Sequence, residues 1–344
     1  MLDDLNIISQ KDPYDALGVA ATQPTQASWM AEIGNEPQDS LPEIRTLVVA
    51  GMGGSALAAG IVKSWLRLQI PFEVVRRYDL PAYVDEHTLV IVSSYSGNTE
   101  ETLSALEDAE SRGAQIAAIS SGGQLLDIAD EKGFPFIKIP SHYQPRMAVG
   151  LNLKALVRLL ELFGLVHNKF EEITGVADWL SEQTLNWLPE VETAQNYAKQ
   201  LAMEAVGKTP VIYTGSRMSP VGYKWKISFN ENAKNVAFCN ELPEFNHNEF
   251  MGWASHPIEK PFAIFDLISG FEHPEILKRF ELTDRLLSGM KPKSITVELQ
   301  GESVIAQMLW GALLADFVSI YLAILNGVDP TKVDLIEKFK QELG

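Results

Sequence analysis

Three serine and threonine side chains cluster in one short loop of the sequence, SYSGNT at residues 94–99. The loop follows the apolar run TLVIV and precedes EETLSALEDAE, which has the composition of a helix. The hydroxyls of Ser94, Ser96 and Thr99, with the N–H groups of a first helical turn, suit a phosphate dianion. Such residues are also ordinary helix caps. Their grouping around a glycine at a strand end favours an anion site over capping.

A second loop, GMGGS at residues 51–55, also ends an apolar run, TLVVA. Glycine has no Cβ, so the backbone at Gly53 and Gly54 can approach a ligand closely. The lysine of a nucleotide-binding phosphate loop is missing here. A dinucleotide site is a weak match, because the next strand ends in VVRRY without an acidic residue for a ribose hydroxyl. Arg76 and Arg77 keep an NADP site as an alternative.

The densest acid–base chemistry lies in NENAK and LPEFNHNE, at residues 230–234 and 242–249. This polar cluster follows an apolar strand and is poor core material, so we expect it to form a site. Glu231 is a candidate base if apolar neighbours such as Phe229 raise its proton affinity, and His247 can move a proton near neutral pH. The alternative is a solvated loop with a capping glutamate and a surface histidine.

A zinc site is a further alternative for the same cluster. It would combine His247 with Glu249 or His256, but the H-E-x-x-H order is missing. We therefore expect neither a metal nor a cofactor.

The elements that position these loops alternate between short β-branched runs and longer helical ones from Thr46 onward. This alternation predicts an α/β fold with a doubly wound parallel sheet, whose ligands bind at the carboxyl ends of the strands. The pattern restarts at TPVIYTGSRMS, where Gly215 and Ser219 recur at the spacing of Gly51 and Ser55. The repeat indicates an internal duplication, and therefore two such domains in tandem.

The predicted domain organisation has four parts. They are an N-terminal helical segment at 1–40, a first domain at 41–155, a helical connection at 156–207, and a second domain with C-terminal helices at 208–344.

Composition excludes several partner classes. The 344 residues carry a net charge of −17 without a basic patch, which excludes nucleic acid as a partner. The single cysteine, Cys239, has no disulfide partner in the chain and is expected to be a buried, inert thiol, which favours the cytoplasm.

The N-terminus lacks the pattern of a secretion signal. The apolar run 304–328 is long enough to span a bilayer but contains Gln307, Asp316 and Asn326, which favours a buried helix and no membrane partner.

These motifs together resemble one known family. GMGGS, SYSGNT, QPR at residues 144–146, NENAK, LPEFNHNE and the terminal IEKFK are similar to the motifs of bifunctional phosphoglucose/phosphomannose isomerases, which are built from two sugar-isomerase domains. The resemblance runs from about Thr46 to the C-terminus. NENAK followed by LPEFNHNE is its most specific part.

The resemblance implies a role for each site residue. Glu231 would be the base that moves a proton between C1 and C2, and Arg146 would steady the enediolate oxygens. His247 would assist ring opening from the neighbouring subunit. The pattern I-x-x-x-K places the ring-opening lysine on Lys340, with Lys338 as the alternative. The substrate-binding residues are two groups, one for the 6-phosphate and one lining the sugar: Ser94, Ser96 and Thr99, and Gly53, Gly54 and Ser55.

The expected function is therefore a cytoplasmic, cofactor-independent aldose–ketose isomerase. It would act on glucose 6-phosphate, and on mannose 6-phosphate as well, through a cis-enediol, and would work as a homodimer with shared sites. One rival is a non-catalytic sugar-phosphate sensor, which would not need Glu231 with His247 and usually carries a DNA-binding helical module. The other rival is an NADP-dependent oxidoreductase.

Overall fold

The computed structural model describes residues 1–37, 41–254 and 260–343. The chain separates into two compact units. The first unit is Gln23–Asp178, and the second unit combines Met1–Thr22 with Trp179–Gly344. This packing divides both the predicted N-terminal segment and the predicted helical connection between the two units.

The first unit contains a six-stranded sheet. Its strands are β1 (Ile33–Gly34), β2 (Thr46–Gly51), β3 (Phe72–Val75), β4 (Thr88–Ser94), β5 (Gln115–Ser120) and β6 (Phe136–Lys138). Their order is β1-β6-β5-β4-β2-β3. Strands β2 to β6 pair in parallel, as predicted. The N-terminal segment adds a correction, because β1 pairs antiparallel with β6 at the edge of the sheet, where two residues suffice for a short pairing.

The second unit contains a four-stranded sheet, all of it parallel. Its strands are β7 (Thr209–Gly215), β8 (Phe238–Leu242), β9 (Phe262–Ile268) and β10 (Ile295–Glu298). The order β10-β9-β7-β8 repeats the order β5-β4-β2-β3 of the first sheet. The shared order confirms the predicted duplication and the fold of two parallel-sheet α/β domains in tandem.

Strand β8 begins later than the apolar run NVAFC predicts. Ala237 N–H donates to Asn230 Oδ1 (2.9 Å), and Asn235 N–H donates to the Phe229 carbonyl (3.1 Å). These bonds tie the first residues of the run to the end of the preceding helix, so the ladder with β7 starts only at Phe238.

Helices flank both sheets. They are α1 (Leu5–Lys11), α2 (Ala16–Thr22), α3 (Gly53–Leu66), α4 (Glu100–Ser111), α5 (Gly123–Lys132), α6 (Val149–Leu162), α7 (Lys169–Thr174), α8 (Ala177–Leu185), α9 (Tyr197–Glu204), α10 (Ser219–Glu231), α11 (Glu249–Ala254), α12 (Pro274–Leu286), α13 (Val304–Asn326) and α14 (Asp334–Leu343). Short 3₁₀ turns at Pro145–Met147 and Glu244–His247 carry predicted site residues.

Helix α13 is the core of the second unit. By length and composition it is the one helix in the described chain that could cross a membrane, but 94% of its most apolar window is buried. It packs against α2, α9 and α10. The apolar run 304–328 is therefore a buried core helix, as predicted.

The first unit buries a lysine on α6, the helix that follows the QPR motif. Lys154 is completely buried, and its ammonium donates to the Phe170 carbonyl (3.1 Å) and to Thr174 Oγ1 (2.6 Å). The same ammonium lies 3.2 Å from the centroid of the Phe170 ring. Burial lowers the pKa of Lys154 from its ordinary value to about 8.

This lysine should make stability depend on pH. Between pH 8 and 10.5 the unfolded chain binds more protons at Lys154 than the folded chain, so the free energy of unfolding rises with pH in that window. Lys154→Met removes this effect. Denaturant titrations give the free energy of unfolding of each protein. We expect the wild-type free energy minus that of the variant to increase by up to about 3 kcal/mol from pH 7 to 10.5. A difference that does not change with pH would contradict the prediction.

Candidate active site

The two predicted ligand loops of the first unit lie side by side. Strands β2 and β4 pair in parallel, and Gly51 is opposite Ser93 at their carboxyl ends. The GMGGS loop therefore follows β2, and the SYSGNT loop follows β4, at the same edge of the sheet. This is the edge at which parallel α/β sheets bind ligands.

The hydroxyls of the SYSGNT loop form one hydrogen-bonded cluster. Ser94 Oγ lies 2.8 Å from Thr99 Oγ1 and 3.5 Å from Ser96 Oγ. Thr99 occupies the N-cap position of α4, but within the described chain its side chain makes no capping hydrogen bond. The capping interpretation of the loop therefore fails at Thr99, whose hydroxyl points to the cluster.

A neighbouring glycine loop holds the cluster in place. Gly97 has φ of +72°, and a Cβ there would lie 1.7 Å from the Gly122 carbonyl oxygen. Asn98 Oδ1 accepts the Gln124 N–H (3.1 Å), and the Ser121 hydroxyl donates to the Tyr95 carbonyl (2.6 Å). Sequence reasoning missed this support, for which the SSGG run after β5 was the available signal.

Acidic side chains flank the hydroxyl cluster. Glu100 and Glu101 occupy the first turn of α4. Carboxylates there interact favourably with the helix dipole but repel a phosphate bound at the same helix end. The Tyr78 hydroxyl donates to Glu100 Oε2 (3.3 Å). A phosphate at this loop must therefore rely on the hydroxyls and the backbone N–H groups.

The QPR motif packs directly on the GMGGS loop. A Cβ on Gly54 would lie 2.5 Å from the Pro145 carbonyl oxygen, so only glycine permits this approach. Arg146 follows on the same 3₁₀ turn, and its side chain is only 2% exposed, with Nη1 donating to Gln144 Oε1 (3.5 Å). Gly53 is exposed, whereas Ser55 is buried. The structure thus brings Arg146 to the glycine-rich loop.

The NENAK motif of the second unit needs a correction. It does not follow a strand but ends helix α10, whose last residue is the half-buried Glu231. Asn232 is completely buried, and its Nδ2 donates to Ser319 Oγ on α13 (2.9 Å). Asn232 and the buried Ala233 are therefore core residues, which the polar composition did not indicate.

The other polar residues of the motif form hydrogen bonds with the backbone around Glu231. Asn230 accepts the Ala237 N–H, and Lys234, at φ of +51°, donates from Nζ to the Asn232 carbonyl (3.3 Å). The expected apolar neighbour Phe229 is buried two residues before Glu231. The motif thus fixes the C-terminal turn of α10, on which Glu231 sits.

His247 ends the 3₁₀ turn of LPEFNHNE and is exposed. The residues on both sides of it are anchored. Asn246 Nδ2 donates to Thr283 Oγ1 on α12 (2.9 Å), and Phe245 is buried. The turn therefore presents the imidazole at the surface of the second unit on a fixed backbone.

The motif's last residue, Glu249, is also an anchor. It accepts hydrogen bonds from Asn240 Nδ2 on β8 (2.7 Å) and from the Tyr213 hydroxyl on β7. Trp253 Nε1 donates to the same hydroxyl (3.0 Å). Burial, followed by the Glu249 bond, raises the pKa of Tyr213 well above its ordinary value. Sequence reasoning missed Tyr213 and Asn240, because both lie in strands.

The zinc alternative finds no support in the described residues. They contain no group of three or more potential metal ligands. Glu249 is committed to Tyr213 and Asn240, and His256 lies outside the described residues.

The two candidate lysines lie on the exposed helix α14. Lys338 Nζ is 3.7 Å from Glu342 Oε1, whereas Lys340 follows Ile336 by one helical turn on the same face. Neither lysine is buried. Both lysines therefore stay candidates.

Two further predictions concern Cys239 and the NADP alternative at Arg77. Cys239 is half-buried rather than fully buried, and burial raises the pKa of its thiol, which suits an inert cysteine. Arg77 is exposed and lies near Glu73 (3.6 Å) and Asp79 (3.9 Å), so it has acidic neighbours where an NADP site would need a free positive charge.

Comparisons with known proteins identify the family. A model described as the bacterial phospho-glucose isomerase C-terminal SIS domain matches residues 194–343, and a SIS domain model matches residues 40–126. The chain is 39% identical to the bifunctional phosphoglucose/phosphomannose isomerase of Caldicellulosiruptor bescii, covering 88% of this chain and 90% of that protein. It is 34% identical to the enzyme of the same name from Aquifex aeolicus, covering 88% and 92%.

A solved structure supports the same assignment at the level of the fold. The glucose-6-phosphate isomerase like protein from Thermus thermophilus aligns with a TM-score of 0.64 at 19% identity, covering 99% of this chain and 98% of that chain. Matches to both domains, and relatives covered over about nine-tenths of their length, lead to one conclusion. The chain belongs to the family of bifunctional phosphoglucose/phosphomannose isomerases, built from two SIS domains.

Proposed function

We propose that the protein interconverts glucose 6-phosphate and mannose 6-phosphate with fructose 6-phosphate. The observation that carries this proposal is the 39% identity, over 88% of the chain, to an enzyme named for both isomerase activities. The alternatives of a sensor and of an NADP-dependent oxidoreductase have no such support.

In the proposed function, the SYSGNT loop binds the 6-phosphate. The clustered hydroxyls of Ser94, Ser96 and Thr99 and the first N–H groups of α4 supply its donors. The sugar lies along Gly53, Gly54 and Ser55. The phosphate is remote from the reacting carbons, so this loop provides affinity and orientation.

Isomerisation itself is a proton transfer between adjacent carbons. His247 and Lys340 assist ring opening, and Glu231 then removes the proton from C2 of the open aldose, while O1 takes up a proton, to give a cis-enediol. Return of the carbon-bound proton from Glu231 to C1, with loss of the proton on O2, gives the ketose. The buried guanidinium of Arg146 keeps its charge and stabilises the developing enediolate oxygen.

One base can serve both aldoses. Glucose and mannose 6-phosphates differ only in configuration at C2, and loss of the C2 proton gives the same enediol from each. The same base reaches either face of C2 when the enediol turns about the C2–C3 bond, and the face that is protonated decides which aldose forms. The proton moves within the substrate without net oxidation, so the reaction needs no external redox partner.

We also propose a cytoplasmic homodimer in which His247 of one chain completes the site of the other. The exposure of His247 on an anchored turn supports this proposal. The single cysteine, Cys239, has no disulfide partner in the chain, which fits a reducing compartment.

The direct test is an assay of the purified protein with glucose, mannose and fructose 6-phosphates. We expect turnover of all three, detected by coupling or by following the sugars by NMR. If none of the three sugars is turned over, the proposed function is wrong. If only glucose 6-phosphate and fructose 6-phosphate are turned over, the proposed activity on mannose 6-phosphate is wrong.

Glu231→Gln should abolish isomerisation, because the amide cannot accept the carbon-bound proton. We expect kcat to fall by at least about 10³-fold, with the KM for fructose 6-phosphate within a fewfold of the wild-type value. Glu204→Gln is the matched control, since Glu204 also ends a helix, α9. Near-normal kcat in Glu231→Gln would exclude this residue as the base.

Ser96→Ala with Thr99→Ala should weaken binding more than chemistry. Loss of hydrogen bonds to a charged phosphate should raise KM about tenfold or more while kcat changes little. Ser111→Ala, at the far end of α4, is the control and should behave as wild type. An unchanged KM in the double variant would place the phosphate elsewhere.

Subunit mixing tests the shared site. Neither Glu231→Gln nor His247→Ala should be active alone, but exchange of chains gives mixed dimers with one intact site each. We expect about a quarter of wild-type activity at full random exchange. Absence of recovery, with exchange proven by native mass spectrometry, would show that each chain completes its own site.

A further inference from the structure

A stripe of polar residues runs along the buried face of α10 toward Glu231. Lys224, Ser228 and Asn232 are spaced four residues apart, so they share one face of the helix and its C-cap. All three are at most 1% exposed. Such a stripe is unusual on a helix face that otherwise packs in the core.

Helix α13 supplies the partners of the stripe. Lys224 Nζ donates to Asp316 Oδ1 (2.6 Å), and Ser228 Oγ donates to the same oxygen (2.9 Å). One turn further, Asn232 Nδ2 donates to Ser319 Oγ, which in turn donates to the Asp316 carbonyl (3.0 Å). The stripe is therefore one connected network between two helices.

The two helices are also in close contact. A Cβ on Gly311 of α13 would lie 2.7 Å from Val221 Cγ1 on α10, and Trp225 Nε1 donates to the Gly311 carbonyl (2.9 Å). Two helices that meet only through apolar side chains can slide or rotate slightly at little cost. A shift that separates a buried charge from its partner is strongly unfavourable. The network thus permits a single register of α10 along α13.

We propose that this stripe positions Glu231 by locking the register of α10. Glu231 lies between the last internal contact, at Ser228, and the cap contact, at Asn232, which directly follows it. A shift or rotation of the final turn would move its carboxylate directly. The proposal rests on the proposed function, in which Glu231 is the base, and makes Lys224, Asp316 and Asn232 positioning residues that do not touch the substrate.

Two variants remove the lock while keeping the core filled. Lys224→Met with Asp316→Leu replaces the ion pair by apolar side chains, an exchange that proteins often tolerate without loss of stability. Asn232→Leu with Ser319→Ala removes the cap contact without touching any charge. If one pair fails to fold, the other still tests the proposal.

We expect both variants to lower kcat by about ten- to a hundredfold, because a displacement of about 1 Å at a catalytic group has effects of that size. The KM for fructose 6-phosphate should stay within about twofold, since no residue of the stripe belongs to the proposed phosphate loop. Hydrogen exchange should quicken at the last turn of α10 and stay unchanged at its first turn. A positional role predicts this split, and general destabilisation does not.

Lys199→Met is the matched control. Lys199 is a buried lysine of the same unit, on α9, whose ammonium donates to the carbonyls of Pro189 (2.8 Å) and Val191 (2.7 Å). We expect it to change the melting temperature while kcat stays within twofold of wild type.

The outcomes separate the two proposals. If Glu231→Gln is inactive but both stripe variants fold and keep wild-type kcat, the register lock is wrong and the function stands. If Glu231→Gln keeps normal kcat, the assigned role of Glu231 is wrong. If Lys199→Met lowers kcat as far as the stripe variants do, the stripe acts through general stability, and the register lock is again wrong.

Discussion

Parallel pairing of a central strand with two neighbours is the constraint on which both units depend. In the first unit β2 lies between β3 and β4, and in the second unit β7 lies between β8 and β9. Parallel strands end at the same edge of a sheet, so the loops that follow them meet there. This is why two short loops far apart in sequence, GMGGS and SYSGNT, share one edge.

The polar groups in the two cores have different physical roles. Lys154 is held by a carbonyl, a hydroxyl and a ring face, and burial lowers its pKa. Lys224 instead has a buried carboxylate partner, Asp316. Breaking a buried pair of this kind costs about 3–5 kcal/mol, although an apolar replacement of both partners is often tolerated. Asp316 and Lys224 therefore specify an arrangement of helices more than they add stability.

Each of the two acid–base motifs contains one proposed acid–base residue and several residues that fix the backbone around it. In NENAK, Asn230, Asn232 and Lys234 bind backbone or buried groups around Glu231. In LPEFNHNE, Glu249 is bonded to two strands and Asn246 to α12, while His247 is exposed. Each motif thus surrounds one proposed acid–base residue with side chains that fix its backbone.

The alternation of elements, the duplication and the two ligand loops can all be predicted from the sequence, because hydrophobic periodicity and glycine-rich turns are local signals. The sequence also indicated that the run 304–328 is a core helix, since its polar residues interrupt the apolar pattern. It misjudged Asn232, which looked like loop material and is completely buried. Only the tertiary structure could decide this, because the partner of Asn232 is Ser319, 87 residues away. The same holds for Tyr213 and Asn240, whose contacts with Glu249 require β7 and β8 to pair first. A side chain's role in these places is set by what packs against it, and neither composition nor spacing carries that information.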